Sequence, residues 1–208
     1  MKHIVVLVPG IHTFRKEAQE SMGRLAAQIK AGEPGVTCLI YSKGWIPALA
    51  ISLPLVGKLV CRHKVTVFQK WLRKQLIALD PTAIPDAVGY SFGSHLVHFS
   101  MTGPHGPKAF WNRVAYMGGI ISTREDFKGE WGHFKKILNC LSHHDKVVRF
   151  ARLGRFGQCG FAGFAHADNQ WVANLESDLE HEDYQRPSWV WDSVVMFLLA
   201  LPPGLTEH

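Results

Sequence analysis

Cysteine is scarce in this sequence, and no two cysteines lie close together. Such spacing provides neither the paired thiols of a zinc site nor the dense pattern of a small disulfide scaffold. We therefore expect reduced and mostly buried thiols rather than cross-links. The four residues are Cys38, Cys61, Cys140 and Cys159.

A long uninterrupted apolar run is also missing. The most apolar stretch, Trp45 to Val60, is shorter than the roughly 20 residues of a membrane-spanning helix, and two prolines and a glycine interrupt it. The N-terminal run Ile4 to Val8 stops at Pro9-Gly10 and lacks the cleavage site of a signal peptide. We expect no transmembrane segment and predict a cytoplasmic location.

Positive charge is in modest excess, but the basic residues do not cluster in one part of the sequence. The formal net charge of +6 would permit contact with nucleic acid or anionic lipid. The basic residues are scattered among acidic ones, as is typical of solvated surfaces. We expect no nucleic-acid partner. Peripheral contact with anionic lipid, through this charge and the apolar stretch, stays open as an alternative.

Histidine is abundant, with twelve residues, and raises the question of a metal site. Two short clusters stand out, His143-His144-Asp145 and His166-Ala167-Asp168. Neither has the i, i+4 helical spacing of a zinc-binding pair. We expect surface histidines and no functional metal.

Strand and helix patterns alternate along the whole chain. Its 208 residues, 47% hydrophobic and 19% charged, suit a single domain over 1–208 with a sizeable core. The alternation implies right-handed crossovers, and it predicts an α/β fold with a mostly parallel sheet of about six strands and helices on both faces. The predicted strands are Lys2 to Val8, Val36 to Tyr41, Asp86 to Tyr90, Arg113 to Met117, Lys136 to Leu141 and Trp171 to Leu175; the predicted helices are Arg15 to Lys30, Val65 to Leu79, Phe92 to Met101 and Trp189 to Leu201.

A Gly-x-Ser-x-Gly motif stands between the third strand and its helix. Gly89 and Gly93 flank Ser91, where small residues let the strand and helix pass each other around a strained turn. A serine at a helix N-terminus also meets free N–H groups and the positive end of the helix dipole. The motif predicts that Ser91 is a nucleophile.

A serine nucleophile needs a histidine base and an acid that orients it. Asp145 follows the fifth predicted strand, at the sheet edge where active residues of α/β folds collect. Its alternative role is the N-cap of a helix beginning at Lys146. The weaker candidates for the acid are Asp126, Asp168 and Asp183.

His181 is the predicted base because it follows the sixth strand and precedes the last helix. The competing His166 precedes that strand and is expected away from the catalytic edge. The alternative for His181 is a solvated histidine in an acidic turn.

Two backbone N–H groups are predicted to bind an oxyanion. Phe92 supplies one from the start of its helix. The loop after the first strand supplies the other through Ile11 or, less favoured, His12, because Gly10 allows close approach of the backbone. The alternative is that this loop is only a strand-ending turn.

With Ser91, Asp145 and His181 in this order, the chain resembles the α/β-hydrolase superfamily and is similar to its small intracellular lipase- or esterase-like members. The resemblance implies a serine hydrolase that cleaves a small-molecule carboxylic ester through an acyl-enzyme, with an oxyanion hole and no cofactor. The segments that carry it are Val5 to Gly10, Val88 to Ser94, Ser142 to Val148 and His181 to Tyr184.

Two features depart from the family pattern. Pro9 stands where many members have the histidine of a His-Gly pair. The chain also lacks residues for two initial antiparallel strands and for a long lid, which implies a minimal sheet. Residues 45–64 are a candidate small apolar cap that would line an acyl pocket; a core element is the alternative.

Several functions would use the same residues. Thioester or amide cleavage and acyl transfer to an acceptor other than water need the same Ser-His-Asp arrangement. A non-catalytic binding module on a hydrolase scaffold is a further alternative, since fold does not imply function.

Overall fold

Six parallel strands form one sheet in the computed structural model of the chain, which describes residues 2–10, 15–42, 54–102, 108–125, 127, 132–151, 156–167 and 170–199. The strands are β1 (Ile4–Val8), β2 (Thr37–Ile40), β3 (Asp86–Tyr90), β4 (Trp111–Met117), β5 (Phe134–Ser142) and β6 (Val172–Ser177). Their order is β2-β1-β3-β4-β5-β6, and every neighbouring pair is parallel. The predicted α/β fold with six parallel strands is confirmed.

Helices cover both faces of this sheet, as predicted. They are α1 (Arg15–Gly32), α2 (Pro54–Leu79), α3 (Phe92–Thr102), α4 (Lys146–Ala151), α5 (Cys159–Ala162) and α6 (Trp189–Leu199), with a 3₁₀ helix at His181–Gln185. The short elements α4, α5 and the 3₁₀ helix are additions to the predicted set. Each lies in a connection where the sequence is too short to show a helical period.

Helix α2 begins earlier than predicted, at Pro54 instead of Val65. Proline is tolerated in the first turn of a helix, where its missing N–H would have no partner, so Pro54 begins the helix and does not interrupt it. Within 45–64, Val60 and Cys61 pack into the core, as the alternative of a core element expects, whereas Leu59 is exposed. The cap stays a prediction. Residues 45–53 of the predicted cap lie outside the described residues.

Alternate residues of each strand contribute to two separate cores. Val6 and Val8 of β1 face α2 and α3, while Val5 and Leu7 face α1 and α6. All five residues of β1 are buried, as a parallel sheet with two covered faces requires.

The carboxyl ends of the central strands lie level with each other. Tyr90 of β3 pairs with Met117 of β4, and Met117 pairs with Cys140 of β5. The loops that follow these strands therefore meet at one edge of the sheet.

A network of hydrogen bonds surrounds the buried carboxylate of Asp86 at the opposite edge of the sheet. Asp86 Oδ1 accepts from Asn112 Nδ2 and from the N–H of Arg113, each at 2.8 Å. Asp86 Oδ2 pairs with His3 Nε2 at 2.8 Å, and the other ring nitrogen of His3 pairs with Glu33 at 2.8 Å. The hydrogen bond to Asp86 is the largest influence that raises the pKa of His3.

Among the described helices, none combines the length and the apolar character that crossing a bilayer requires. All four cysteines are free thiols; three are buried and Cys38 is partly exposed. Burial raises the pKa of Cys140 and Cys159 to about 12 each, so both stay protonated.

Candidate active site

Ser91 forms the turn between β3 and α3, in a backbone conformation that serine rarely adopts. Its φ is 51°, in the left-handed region. Such strain persists only where the surroundings impose it. Here the Ser91 N–H donates to the carbonyl of Met117 in β4 at 3.0 Å, and the side chain remains partly exposed at the sheet edge.

The two glycines of the motif give this turn its room. A Cβ atom built on Gly93 would lie 1.9 Å from the carbonyl oxygen of Val8, and one built on Gly89 would lie 2.7 Å from the Cα of Ser94. No side chain fits at either distance. The sequence thus permits α3 to start directly against β1 and β3.

His181 lies between Ser91 and Asp145 and contacts both. Its Nε2 is 3.0 Å from Ser91 Oγ, and its Nδ1 is 2.7 Å from Asp145 Oδ2. Because an ionised carboxylate only accepts, Nδ1 carries the hydrogen, and Nε2 is left to accept from the serine hydroxyl. The three residues predicted from the sequence form one hydrogen-bonded chain, within which Asp145 is fully buried and His181 is 8% exposed.

Asp145 makes the contacts expected of both roles that the sequence offers as alternatives. Its Oδ1 accepts from the N–H of Val148 at 2.8 Å, which is an N-cap contact at the start of α4. Its Oδ2 faces His181. The cap holds the carboxylate in the orientation that reaches the imidazole.

Tyr90 holds His181 from the neighbouring strand. The Tyr90 hydroxyl donates to the backbone carbonyl of His181 at 3.0 Å and accepts from Gln185 Nε2 at 3.2 Å. The two rings lie 5.0 Å apart. Sequence reasoning missed this contact, and its only sequence cue is that Tyr90 directly precedes Ser91.

The loop after β4 passes directly against the histidine and the carboxylate. Gly118 has a φ of 56°, and a Cβ built there would lie 3.1 Å from both Asp145 Oδ2 and His181 Nδ1. Glycine alone combines this conformation with this clearance. Sequence reasoning missed Gly118, although the Gly118-Gly119 pair after a predicted strand was a usable cue.

Ser94 connects the turn at Ser91 with the loop that follows β4. Its hydroxyl donates to the carbonyl of Ser91 at 2.5 Å and accepts from the N–H of Ile120 at 3.1 Å. The backbone of Ser91 is therefore fixed from two sides, by β4 and by the loop that follows it. Nothing in the sequence distinguishes Ser94 from the other serines for this role.

The predicted oxyanion donors belong to two different loops. Phe92 is the first residue of α3, so its N–H has no partner inside the helix. Ile11 and His12, the two candidates for the second donor, lie outside the described residues. Gly10 is described, and a Cβ built there would lie 3.1 Å from Ser91 Cβ, so the backbone after β1 runs beside Ser91.

An aromatic cluster lies next to Ser91, at the first turn of α3. The rings of Phe92 and His95 stack at 5.2 Å, and Phe156 meets both edge-on at 6.1 and 5.6 Å. Burial lowers the pKa of His95 to about 3, so its ring is neutral. The surroundings of Phe92 are therefore apolar on this side.

The competing acid and base candidates lie elsewhere or outside the described residues. His166 is exposed and precedes β6, as predicted. Asp183 accepts from the N–H of Glu180 at 3.2 Å and caps the 3₁₀ helix. Asp126 and Asp168 are outside the described residues.

Metal-ligating side chains do not assemble in the part of the chain that the structure describes: no group of three or more His, Cys, Asp or Glu there could hold an ion. In the first histidine cluster, His143 pairs with Glu176 at 3.2 Å, while Asp145 faces His181.

Solved structures with a similar fold include three esterases, all at low sequence identity. Esterase PE8 is 17% identical with a TM-score of 0.61, over 95% of this chain and 91% of that chain. Esterase Pf2001 of Pyrococcus furiosus is 12% identical with a TM-score of 0.54, over 95% and 82%. Esterase EaEST of Exiguobacterium antarcticum is 10% identical with a TM-score of 0.52, over 94% and 91%.

No protein-family model matches the sequence, and no curated protein matches it. The structural likeness extends over nearly the whole chain, so it concerns the complete sheet and its helices.

Proposed function

We propose that this chain, which has the α/β-hydrolase fold, is a serine hydrolase that cleaves a carboxylic ester through an acyl-enzyme. Ser91 is the nucleophile, His181 the general base and Asp145 the residue that orients it. The observation that supports this most directly is the hydrogen-bonded chain from Asp145 through His181 to a strained serine at the start of a helix.

The first half of the reaction acylates the enzyme. Ser91 Oγ attacks the ester carbonyl while His181 Nε2 takes its proton, and the imidazolium is stabilised by Asp145. The negative charge that develops on the carbonyl oxygen is bound by the N–H of Phe92 and by an N–H from the loop at Ile11. The C–O bond to the alcohol then breaks, and His181 gives its proton to the leaving oxygen.

The second half regenerates the enzyme with water. His181 Nε2 takes a proton from water, whose oxygen attacks the acyl carbon of the ester to Ser91. The intermediate collapses, the serine oxygen recovers the proton from His181, and the carboxylic acid leaves. Water, substrate and these side chains account for every atom, so we propose no cofactor.

The substrate that we propose is a small molecule with an apolar acyl or alkyl group. The aromatic cluster next to Phe92 supports the apolar character, because ligand sites are mostly lined by apolar and aromatic side chains. The solved structures with this fold support the ester class, since several of them are esterases. Free thiols support a reducing location, which we propose is the cytoplasm.

Labelling by a fluorophosphonate probe and hydrolysis of p-nitrophenyl esters test this proposal together. Ser91→Ala should abolish both, and His181→Ala should abolish hydrolysis and strongly reduce labelling, while circular dichroism stays unchanged. Ser193→Ala is the matched control, because its hydroxyl donates to the carbonyl of Trp189 at an exposed position of α6, away from Ser91 in the chain. Hydrolysis that survives in Ser91→Ala would disprove the assignment of the nucleophile.

The chemistry of the acyl bond is tested with a matched set of substrates. Oxygen ester, thioester and anilide of the same acyl group are compared, with and without an added alcohol as acceptor. We expect the oxygen ester to give the highest kcat/KM and water to be the main acceptor. Faster cleavage of the thioester or the anilide, or transfer of most of the acyl group to the added alcohol, would contradict ester hydrolysis and indicate that other reaction as the activity.

A further inference from the structure

A recess lies at the end of the sheet opposite Ser91. It has a volume of about 670 Å³ and is formed by the carboxyl-terminal half of α2 together with the segments that lead into β3 and β4. Ligand sites commonly have volumes of roughly 300–1,000 Å³. We call it the α2 groove, and its apolar walls include Leu76, Ile77, Ile84 and Phe110.

The α2 groove gathers exposed apolar side chains that would otherwise be scattered. Ile77 is 60% exposed, Ile84 is 52% exposed and Phe110 is 54% exposed, and all three line this one recess. Single exposed apolar residues are ordinary, but a concave group of them indicates a surface that receives something apolar.

Positive charge borders the same groove. Lys70 and Arg73 lie three residues apart on α2, so they are on the same side of the helix, and Lys108 lies on the opposite wall. Within the described part of the chain, neither Lys70 nor Arg73 is in an ion pair. Of the lining residues that the structure describes, none is acidic.

The nearest acidic residue along the chain is already held by its own turn. Asp80 Oδ1 accepts from the N–H and the hydroxyl of Thr82, at 3.0 and 2.7 Å. These hydrogen bonds lower the pKa of Asp80. Asp80 therefore stays ionised but is engaged by Thr82, and the charged side chains among the described lining residues are all basic.

The α2 groove is separate from the proposed catalytic site. Ile84 precedes β3 and Ser91 follows it, so six residues of extended chain, at about 3.3 Å each, separate the two by roughly 20 Å. A ligand in the groove does not touch Ser91 or His181.

We propose that the α2 groove binds a single-chain amphipathic carboxylate, that is, a medium- or long-chain fatty-acid anion. The alkyl chain would lie against Ile77, Ile84 and Phe110, and the carboxylate would lie beside Lys70 and Arg73. The concave shape and the limited volume favour one chain in a recess over a bilayer surface. The exposed surface of the walls is mostly apolar, which favours an alkyl chain over a sugar or a base.

Calorimetric titration with decanoate tests the proposal in Ser91→Ala protein, where turnover cannot interfere. We expect one molecule of decanoate to bind, and 1-decanol and hexanoate each to bind at least tenfold more weakly, because one lacks the charge and the other most of the chain. Wild-type protein whose serine has been blocked by a fluorophosphonate should bind decanoate equally well. Loss of binding on blocking would locate decanoate at Ser91 and overturn the proposal.

Two variants locate the binding site. Arg73→Glu should weaken decanoate binding at least tenfold and leave p-nitrophenyl acetate hydrolysis unchanged, and Ala83→Trp should abolish binding by filling the groove. Lys74→Glu is the matched control, since Lys74 is exposed on the same helix but does not line the groove. It should change the dissociation constant less than twofold.

Three results would overturn the proposal. They are equal weakening by Arg73→Glu and Lys74→Glu, equal affinity for decanoate and 1-decanol, and binding to anionic phospholipid vesicles without any binding of monomeric decanoate. The last would indicate a membrane-facing surface. The titrations of Ser91→Ala protein and of the groove variants do not depend on hydrolysis, so their outcome is independent of whether Ser91 is the nucleophile; only the blocked wild-type sample requires that role.

Discussion

Gly118→Ala perturbs the proposed site without removing any of its reacting groups. The added Cβ would lie 3.1 Å from His181 Nδ1 and from Asp145 Oδ2, where ordinary contacts begin at 3.4 Å. The histidine and the carboxylate are themselves 2.7 Å apart and buried, so one of them has to move by a few tenths of an ångström.

This displacement sets the size of the expected loss. If a misplacement of 1 Å costs about 100-fold, a shift of about 0.3–0.5 Å reduces kcat/KM by about fourfold to tenfold. The left-handed φ of 56° adds a separate cost, because alanine is less stable there by about 1–2 kcal/mol. The variant should therefore fold, with reduced stability and reduced activity.

The assay is the pH profile of kcat/KM for a p-nitrophenyl ester, together with urea unfolding. Crowding at Nδ1 weakens the interaction that stabilises the imidazolium, so the acidic limb of the profile should move to lower pH. Gly23→Ala is the control, since nothing lies within 4 Å of a Cβ built in that position of α1. It should stabilise the fold by about 0.5–1 kcal/mol and leave the profile unchanged. A Gly118→Ala protein with wild-type kcat/KM and an unshifted profile would refute the reasoning.

Three further predictions concern the groups around this chain of hydrogen bonds and the opposite edge. Asp145→Asn should keep the cap to Val148 and most of the stability but lower kcat by roughly 10⁴-fold, whereas Asp145→Ala should also lose about 0.5–2 kcal/mol in urea unfolding. Tyr90→Phe should cost about 0.5–1.5 kcal/mol and reduce kcat only modestly, because it frees the His181 carbonyl but not its ring. Protonated His3 stabilises the fold fully below its ordinary pKa of 6.5 and loses this effect as pH rises through the raised pKa, so unfolding free energy should fall above pH 6.5. His3→Gln should flatten that fall, and an equal fall in the variant would exclude His3 as its origin.

The fold could be predicted from local patterns because each central strand is a short apolar run with a breaker after it. In β3 the predicted and observed bounds coincide, since the Gly-x-Ser-x-Gly motif marks both the end of the strand and the start of the helix. Helix α2 was predicted too short because Pro54 was interpreted as an interruption. A proline in the first turn and one in the middle of a helix look alike in sequence.

The site was predictable where position along the chain decides placement. Asp145 and His181 follow β5 and β6, and parallel strands bring such positions to the same edge. Gly118 and Tyr90 were missed because their roles depend on contacts between segments distant in sequence. A glycine after a strand indicates a turn, but not which side chains the turn will pass.

The carboxylate of Asp145 serves as both the first contact of a short helix and the neighbour of an imidazole. Once α4 has formed, the direction of the second carboxylate oxygen is fixed, so the contact with His181 is set before any ligand arrives. If the proposed function holds, a chain in which this helix frays would still bind its substrate but convert it slowly.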